Sequence, residues 1–243
     1  MATLTELRIL SVANNKLMRI PTVLCDLFNL SSLIFDDNMI KELPEAINKL
    51  ALLANLSAAH NAINRLPGKL SGLKQLRKMC LDGNPLGEIP NALLDVTALQ
   101  SLSMRDCGLA VVPDTVTRLR QLRELHVAEN ALEGLPDLQR LAHLRLLRLS
   151  NNKLQQLPST CVHLVDLEEL SIGGNSIQRL PVDFSRLTNL QILQIDGDNF
   201  DSVPQEVLLS FVLPQILHME IPPSISQGGF HRQGRVHDVP TNL

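Results

Sequence analysis

The chain has 243 residues, 44 % of them apolar, with no Trp, no Tyr and only six Phe, and its net charge is −3. A charge so nearly balanced gives no overall field to draw the chain to nucleic acid or membrane, and so few rings leave little to stack on single-stranded bases. No apolar run reaches the length of a bilayer span, and the opening "MATLTELRILSVANN" lacks the basic start and apolar run of a secretory signal.

The chain is periodic almost from its first residues. Prolines stand at 21, 44, 67, 90, 113, 136, 158, 181 and 204, in steps of 23 with a single step of 22, and these are nine of the fourteen prolines. Aligned on them, nine copies begin at Leu7, Leu30, Leu53, Leu76, Leu99, Leu122, Leu144, Leu167 and Leu190. The clearest stretch is 122–157, "LRELHVAENALEGLPDLQRLAHLRLLRLSNNKLQQL". Each copy opens with apolar residues in alternation, as in Leu33 and Phe35 or Leu147 and Leu149, which predicts a short half-buried strand. Next comes Asn15, Asn38, Asn61, Asn84, Asn130, Asn152 or Asn175, with Cys107 and Asp198 at this place in the fifth and ninth copies. An amide there both donates to and accepts from backbone that the turn would otherwise orphan, so removing one should cost roughly 1–3 kcal/mol. Cys107 donates weakly and ionised Asp198 only accepts, which makes both softer places in the row. The proline, with fixed φ and no N–H, suits the start of a short turn on the far side.

One such copy cannot bury its apolar edge alone. Stacked copies can, pairing strands at roughly 4.8 Å around a continuous core. The pattern resembles the leucine-rich repeat family, over about 85 % of the chain. The 23-residue step and the "LP" and "IP" pairs are most similar to its intracellular Ras-group class, with Shoc2-like scaffolds and their plant counterparts. The resemblance implies an α/β solenoid, a curved horseshoe with a parallel β-sheet on the concave face and short helical or 3-10 turns on the convex face. It also implies protein binding on the concave face, and it brings no catalytic residue and no cofactor. Residues 1–221 are expected to form this domain, with a terminal strand near 217–221, and 222–243 an extended tail.

The ends depart from the pattern. Only "MATLTE" precedes the first copy, so Leu7, Leu10, Val12 and Leu17 are expected to present an apolar end, either of a truncated product or covered by a partner or second copy. After Pro204, Val207, Leu208 and Phe211 read as the inner side of a helical turn, and Ile216, Met219 and Ile221 recover the strand spacing before Pro222 and Pro223 end it. Cys25, Cys80, Cys107 and Cys161 lie in four copies at four different positions, with no cysteine-rich cap, which points to a reducing, cytoplasmic setting.

Residues flanking the buried strand position point to the concave side. They are mostly small, with large and charged ones gathered from the second to the seventh copy: Asp36, Asp37, His60, Lys78, Asp82, Arg105, Asp106, Glu124, His126 and Arg148. These ten are the candidate partner-binding residues, since binding energy concentrates in a few central side chains. A second feature is basic: Arg77, Arg123 and Arg145 share one repeat position and Arg118, Arg140 and Arg186 another, with Arg120 nearby. They would line one edge and could meet an acidic protein surface or structured RNA phosphates.

Candidates for chemistry do not assemble. His126 beside Ser103 or Cys80 imitates a nucleophile and base, without an orienting third group or oxyanion hole. Asp36, Asp37 and His60 imitate a metal site that later copies do not extend, "GGN" at 173–175 lacks the lysine and helix of a phosphate loop, and His231 and His237 have too few companions. The sequence therefore reads as a non-enzymatic scaffold for a protein partner. The alternatives are a structural subunit of a large axonemal or ribonucleoprotein assembly, or a regulatory subunit positioning a phosphatase or GTPase.

Overall fold

A computed structural model describes residues 4–195 and the backbone of 216–218. Each copy contributes a three-residue strand: β1 Ile9–Ser11, β2 Ser32–Ile34, β3 Asn55–Ser57, β4 Lys78–Cys80, β5 Ser101–Ser103, β6 Glu124–His126, β7 Leu146–Arg148, β8 Glu169–Ser171 and β9 Ile192–Gln194. A tenth, β10 Ile216–His218, pairs with β9, and the ten form one parallel sheet in sequence order. The register never slips. Leu10, Leu33, Leu56, Met79, Leu102, Leu125, Leu147, Leu170 and Leu193 stand side by side across it. Position 198, the segment 204–211, Met219, Ile221 and the tail with His231 and His237 lie outside the described residues.

Each junction uses the same device. The carbonyl before a strand accepts two N–H groups from the next copy, as Arg8 accepts from Ser31 at 2.7 Å and Ser32 at 3.0 Å, and Arg77 from Gln100 at 2.8 Å and Ser101 at 2.9 Å. The shared acceptor locks the register before the strand begins, so the period-two burial cannot slide to the other face. Leucines at each copy's opening position, from Leu30 to Leu190, are buried and join a single apolar interior.

The asparagine row behaves as its chemistry predicts. Asn84 donates to Leu81 O at 2.8 Å in its own copy and to Ala58 O at 2.9 Å in the copy before, while its Oδ1 accepts Ile63 N–H at 2.9 Å. Asn38, Asn61, Asn130, Asn152 and Asn175 repeat this bridging. Cys107 donates its thiol proton to Leu81 O at 3.2 Å. The Leu86 N–H, which an asparagine there would accept, turns instead to Asn84 O at 2.8 Å.

The far side carries six 3-10 turns among the described residues: Thr22–Asp26, Glu45–Lys49, Leu93–Asp95, Asp114–Arg118, Ser159–His163 and Phe184–Arg186. Pro21, Pro44, Pro113 and Pro158 stand just before four of them, with φ between −60° and −72° and extended ψ. Proline fits there because it presets φ and its missing N–H has no bond to lose. Two of the first eight copies have no such turn. In the sixth, the missing residue lies between Pro136 and Leu138, where the turn would form. In the third, Gly68 and Gly72 N–H groups bond back to Glu45 Oε1 at 3.0 Å and Asn48 Oδ1 at 2.7 Å.

Candidate functional site

The strand-lined face is built from two rows that flank the buried position. Pairing sets Ser32, Asn55, Lys78, Ser101, Glu124, Leu146 and Glu169 along one row and Ile34, Ser57, Cys80, Ser103, His126, Arg148 and Ser171 along the other. Lys78, Glu124, His126 and Arg148 therefore rise from β4, β6 and β7 as one group among small neighbours. Arg148 Nε holds Glu169 Oε1 at 2.7 Å across to β8. His126 is half-buried, and burial first, then the Arg148 guanidinium, pushes its pKa below the ordinary histidine value.

The remaining six candidates stand at the turn that follows the strands. Asp36 and Asp82 act as staples between copies. Asp36 Oδ1 accepts the Ser57 hydroxyl at 2.6 Å and the Ala59 N–H at 2.8 Å; Asp82 Oδ1 accepts the Ser103 hydroxyl at 2.6 Å and the Arg105 N–H at 2.8 Å. The signal was present in sequence as an aspartate followed 21 residues later by a serine. Asp37, His60 and Asp106 occupy a left-handed position, with φ of 55°, 52° and 50°. Asn14, Gly83, Glu129, Asn151 and Gly174 hold the same place in other copies, also at positive φ. Gly, Asn, Asp and His are the residue types that tolerate it best, so backbone geometry accounts for most of this row. Asp37, His60 and Asp106 remain exposed. Arg105 is exposed and bonds Glu129 Oε1 at 2.5 Å, which raises its pKa.

Chemistry at this face is constrained by the same bonds. Ser103 gives its hydroxyl proton to Asp82 rather than to His126. The Cys80 thiol is raised from 9.0 to about 11, chiefly by burial, as are those of Cys107 and Cys161, and burial also raises Cys25. All four thiols are free. At pH 8 the three with values near 11 should be thiolate in about one molecule per thousand, against roughly one in ten once unfolded. Alkylation by iodoacetamide at pH 8 is therefore expected to run roughly a hundredfold slower in the native chain than in denaturant. Folded pKa values raised above 9.0 also mean that stability is intact below that pH and falls as pH climbs toward about 11. Equal alkylation rates in the native and unfolded chains would contradict this burial.

Three cations, Lys78, Arg105 and Arg148, stand on this face against seven carboxylates, those of Asp36, Asp37, Asp82, Asp106, Glu124, Glu129 and Glu169. The surface is thus acidic although the whole chain is nearly balanced. No helix of the described residues is long and apolar enough to cross a membrane.

Two family profiles match, one described as "Leucine-rich repeat region" over residues 129–210 and one as "Leucine rich repeat" over 97–154. A search by sequence found no match among curated proteins. Among solved structures, a leucine-rich repeat protein of Leptospira interrogans is similar at 28 % identity and a TM-score of 0.81, over 90 % of this chain and 57 % of its own. The chain thus spans little more than half the length of that protein. TLR13 in a complex with ssRNA13 is 26 % identical, with a TM-score of 0.71 over 81 % of this chain and 30 % of its own. A plant peptide hormone receptor, RGFR1, in complex with RGF2, shares the fold at 22 % identity and a TM-score of 0.61, over 84 % of this chain and 38 % of its own. These matches support the leucine-rich repeat family, whose members are typically interaction modules rather than enzymes. By its repeat, its one parallel sheet and these likenesses, the chain is a leucine-rich repeat solenoid.

Proposed function

We propose that the chain is a non-enzymatic scaffold that holds a partner protein against its strand-lined concave face, in the manner of the intracellular Ras-group class. The observation that carries this is the arrangement of β4 to β8: Lys78, Glu124, His126, Arg148 and Glu169 project from neighbouring strands, and serines and Cys80 around them leave room for close approach. Long side chains ringed by small ones suit a contact whose energy sits in a few central residues. The excess of carboxylates favours a partner segment that carries Lys or Arg. Four unpaired thiols spread over four copies fit a reducing, cytoplasmic setting.

The test is affinity capture by the whole chain, then capture by a chain with Glu124→Lys and Glu169→Gln. Glutamine at 169 can still accept from Arg148 Nε, and Glu124 is in no ion pair among the described residues, so the fold should be kept. The partner taken by the wild-type chain is expected to be lost, with an unchanged melting curve. Retention of that partner by the double variant would rule out this face.

A structural role inside a larger assembly is the second reading, favoured by the first copy. Leu7, Leu10, Val12 and Leu17 are only half-buried, whereas Leu30, Leu33, Phe35 and Ile40 at the same positions of the second copy are at most 1 % exposed. Leu4, Ile9 and Met18 are exposed beside them. This reading predicts that the chain runs in a high-mass fraction of a cell extract. Recovery as a free monomer would count against it.

A further inference from the structure

Where the chain climbs from the 3-10 turns back into the strands, charges are spread unevenly along the edge. Several cations are matched by an acid in the neighbouring copy: Lys49 by Asp26 at 3.3 Å, Arg118 by Asp95 at 2.5 Å and Arg145 by Glu168 at 3.4 Å. Five others, Lys74, Arg77, Arg120, Arg123 and Arg140, are exposed and have no ion-pair partner among the described residues. They lie together at the entries to copies four, six and seven. The nearest acids by repeat position, Asp95 and Glu168, are already held by Arg118 and Arg145.

Arg77 and Arg123 share one position two copies apart, so roughly 10 Å separates their backbones. Arg120 stands three residues before Arg123, and Arg140 follows Arg118 in the next copy. Five like charges within about two Debye lengths repel one another and create a positive field local to this edge. Four of the five are arginines, whose planar forks match carboxylates in pairs.

We propose that this ascending edge of copies four to seven is a second docking surface, taking an acidic segment of a protein partner. A nucleic acid is the poorer fit, because residues 36–183 contain no Phe, Tyr or Trp on which a base could stack. The chain's own C-terminal stretch is not the occupant, since after Pro223 it carries Arg232 and Arg235 against one acid, Asp238. The edge is opposite in sign to the concave face, so the two surfaces select different partners, and neither assignment depends on the other.

The test is fluorescence anisotropy of a labelled polyglutamate peptide titrated with the full chain. The variants are Arg120→Glu/Arg123→Glu/Arg140→Glu, the corresponding glutamine triple, and a control, Arg179→Glu/Arg186→Glu, farther along. Circular dichroism checks folding, and the glutamine triple, which adds no repulsion, serves if the glutamate triple does not fold. Binding is expected to weaken at least roughly tenfold in the triples and to be unchanged in the control and in a Lys78→Glu/Arg148→Gln chain. The proposal is overturned if the wild-type chain does not bind the peptide, if control and triple lose binding alike, or if a structured RNA binds more tightly than the peptide and is lost in the same triples.

Discussion

Replacing Asn130 by alanine is expected to cost about 3 kcal/mol, the largest loss of any single asparagine in the row. Asn130 Oδ1 accepts two N–H groups, Cys107 at 3.0 Å and Leu109 at 2.9 Å, and Nδ2 reaches Met104 O at 2.9 Å, Val127 O at 2.9 Å and Ala128 O at 3.0 Å. The second acceptor bond occurs next to Cys107, the copy in which the row of amides is interrupted. Alanine would leave polar backbone on both sides of the junction without partners, and a polar group removed from water without a bond loses its full hydration. Asn15 gives the contrast. It is exposed and donates only to Val12 O and Ala13 O, both at 2.9 Å, so Asn15→Ala should cost under about 1 kcal/mol. Urea midpoints of the two variants decide the matter, with hydrogen exchange at the Cys107 and Leu109 amides as the local readout. Equal costs, or protection unchanged at those amides, would mean that the row is not holding the copies together.

The division between what could be read beforehand and what could not follows the physics of the stack. Strand register, the buried leucines and the asparagine bridges were all legible, because each copy faces the same burial problem and solves it with the same residue. The proline position was legible for the same reason. The roles of Asp36 and Asp82 were not. Both fall at positions that alternate outward, and the neighbouring Ser57 and Ser103 hydroxyls, with the Ala59 and Arg105 N–H groups, turn them back into the sheet. Asp37, His60 and Asp106 read in the sequence as contact residues, and the structure adds that their row stands in a left-handed turn. The mixture of Asn, Asp, His and Gly along that row was the overlooked clue, for these are the residues that accept positive φ. Glu129, with φ of 56°, is the exception in type, and its bond to Arg105 gives it a second reason to be there. Ion pairs between copies were half-legible. Asp26 with Lys49, Glu42 with Arg65 and Asp95 with Arg118 share repeat positions, but Arg148 reaches Glu169 diagonally.

Gly72→Ala is the second large effect, expected to destabilise the chain by about 2–3 kcal/mol through crowding alone. A Cβ at this position would lie 2.1 Å from the Asn48 backbone oxygen and 2.8 Å from its Oδ1. A backbone atom in the copy before cannot swing aside, so the two copies must part where the third copy already has no 3-10 turn. Gly108 tests the other reason for glycine. Its φ is 69° with no heavy atom within 4 Å of an added Cβ, so Gly108→Ala should cost only about 1 kcal/mol, the penalty of left-handed backbone. Asn48→Ala separates backbone from side-chain crowding, because it removes Oδ1 and leaves the carbonyl in place. If the carbonyl is the obstacle, Asn48→Ala does not rescue Gly72→Ala in a double-mutant cycle. A full rescue would place the obstacle in the amide instead. Gly174 supplies the opposite expectation, since the atom 2.2 Å from its added Cβ is Asn151 Oδ1, the end of a side chain that can rotate away. There, shortening Asn151 should recover most of the crowding part of the loss and leave the cost of φ at 70° and a 3.3 Å approach to the Asn151 N. At Gly72 the back of the solenoid brings two backbones within reach of each other, and only the absence of a side chain lets the second and third copies close.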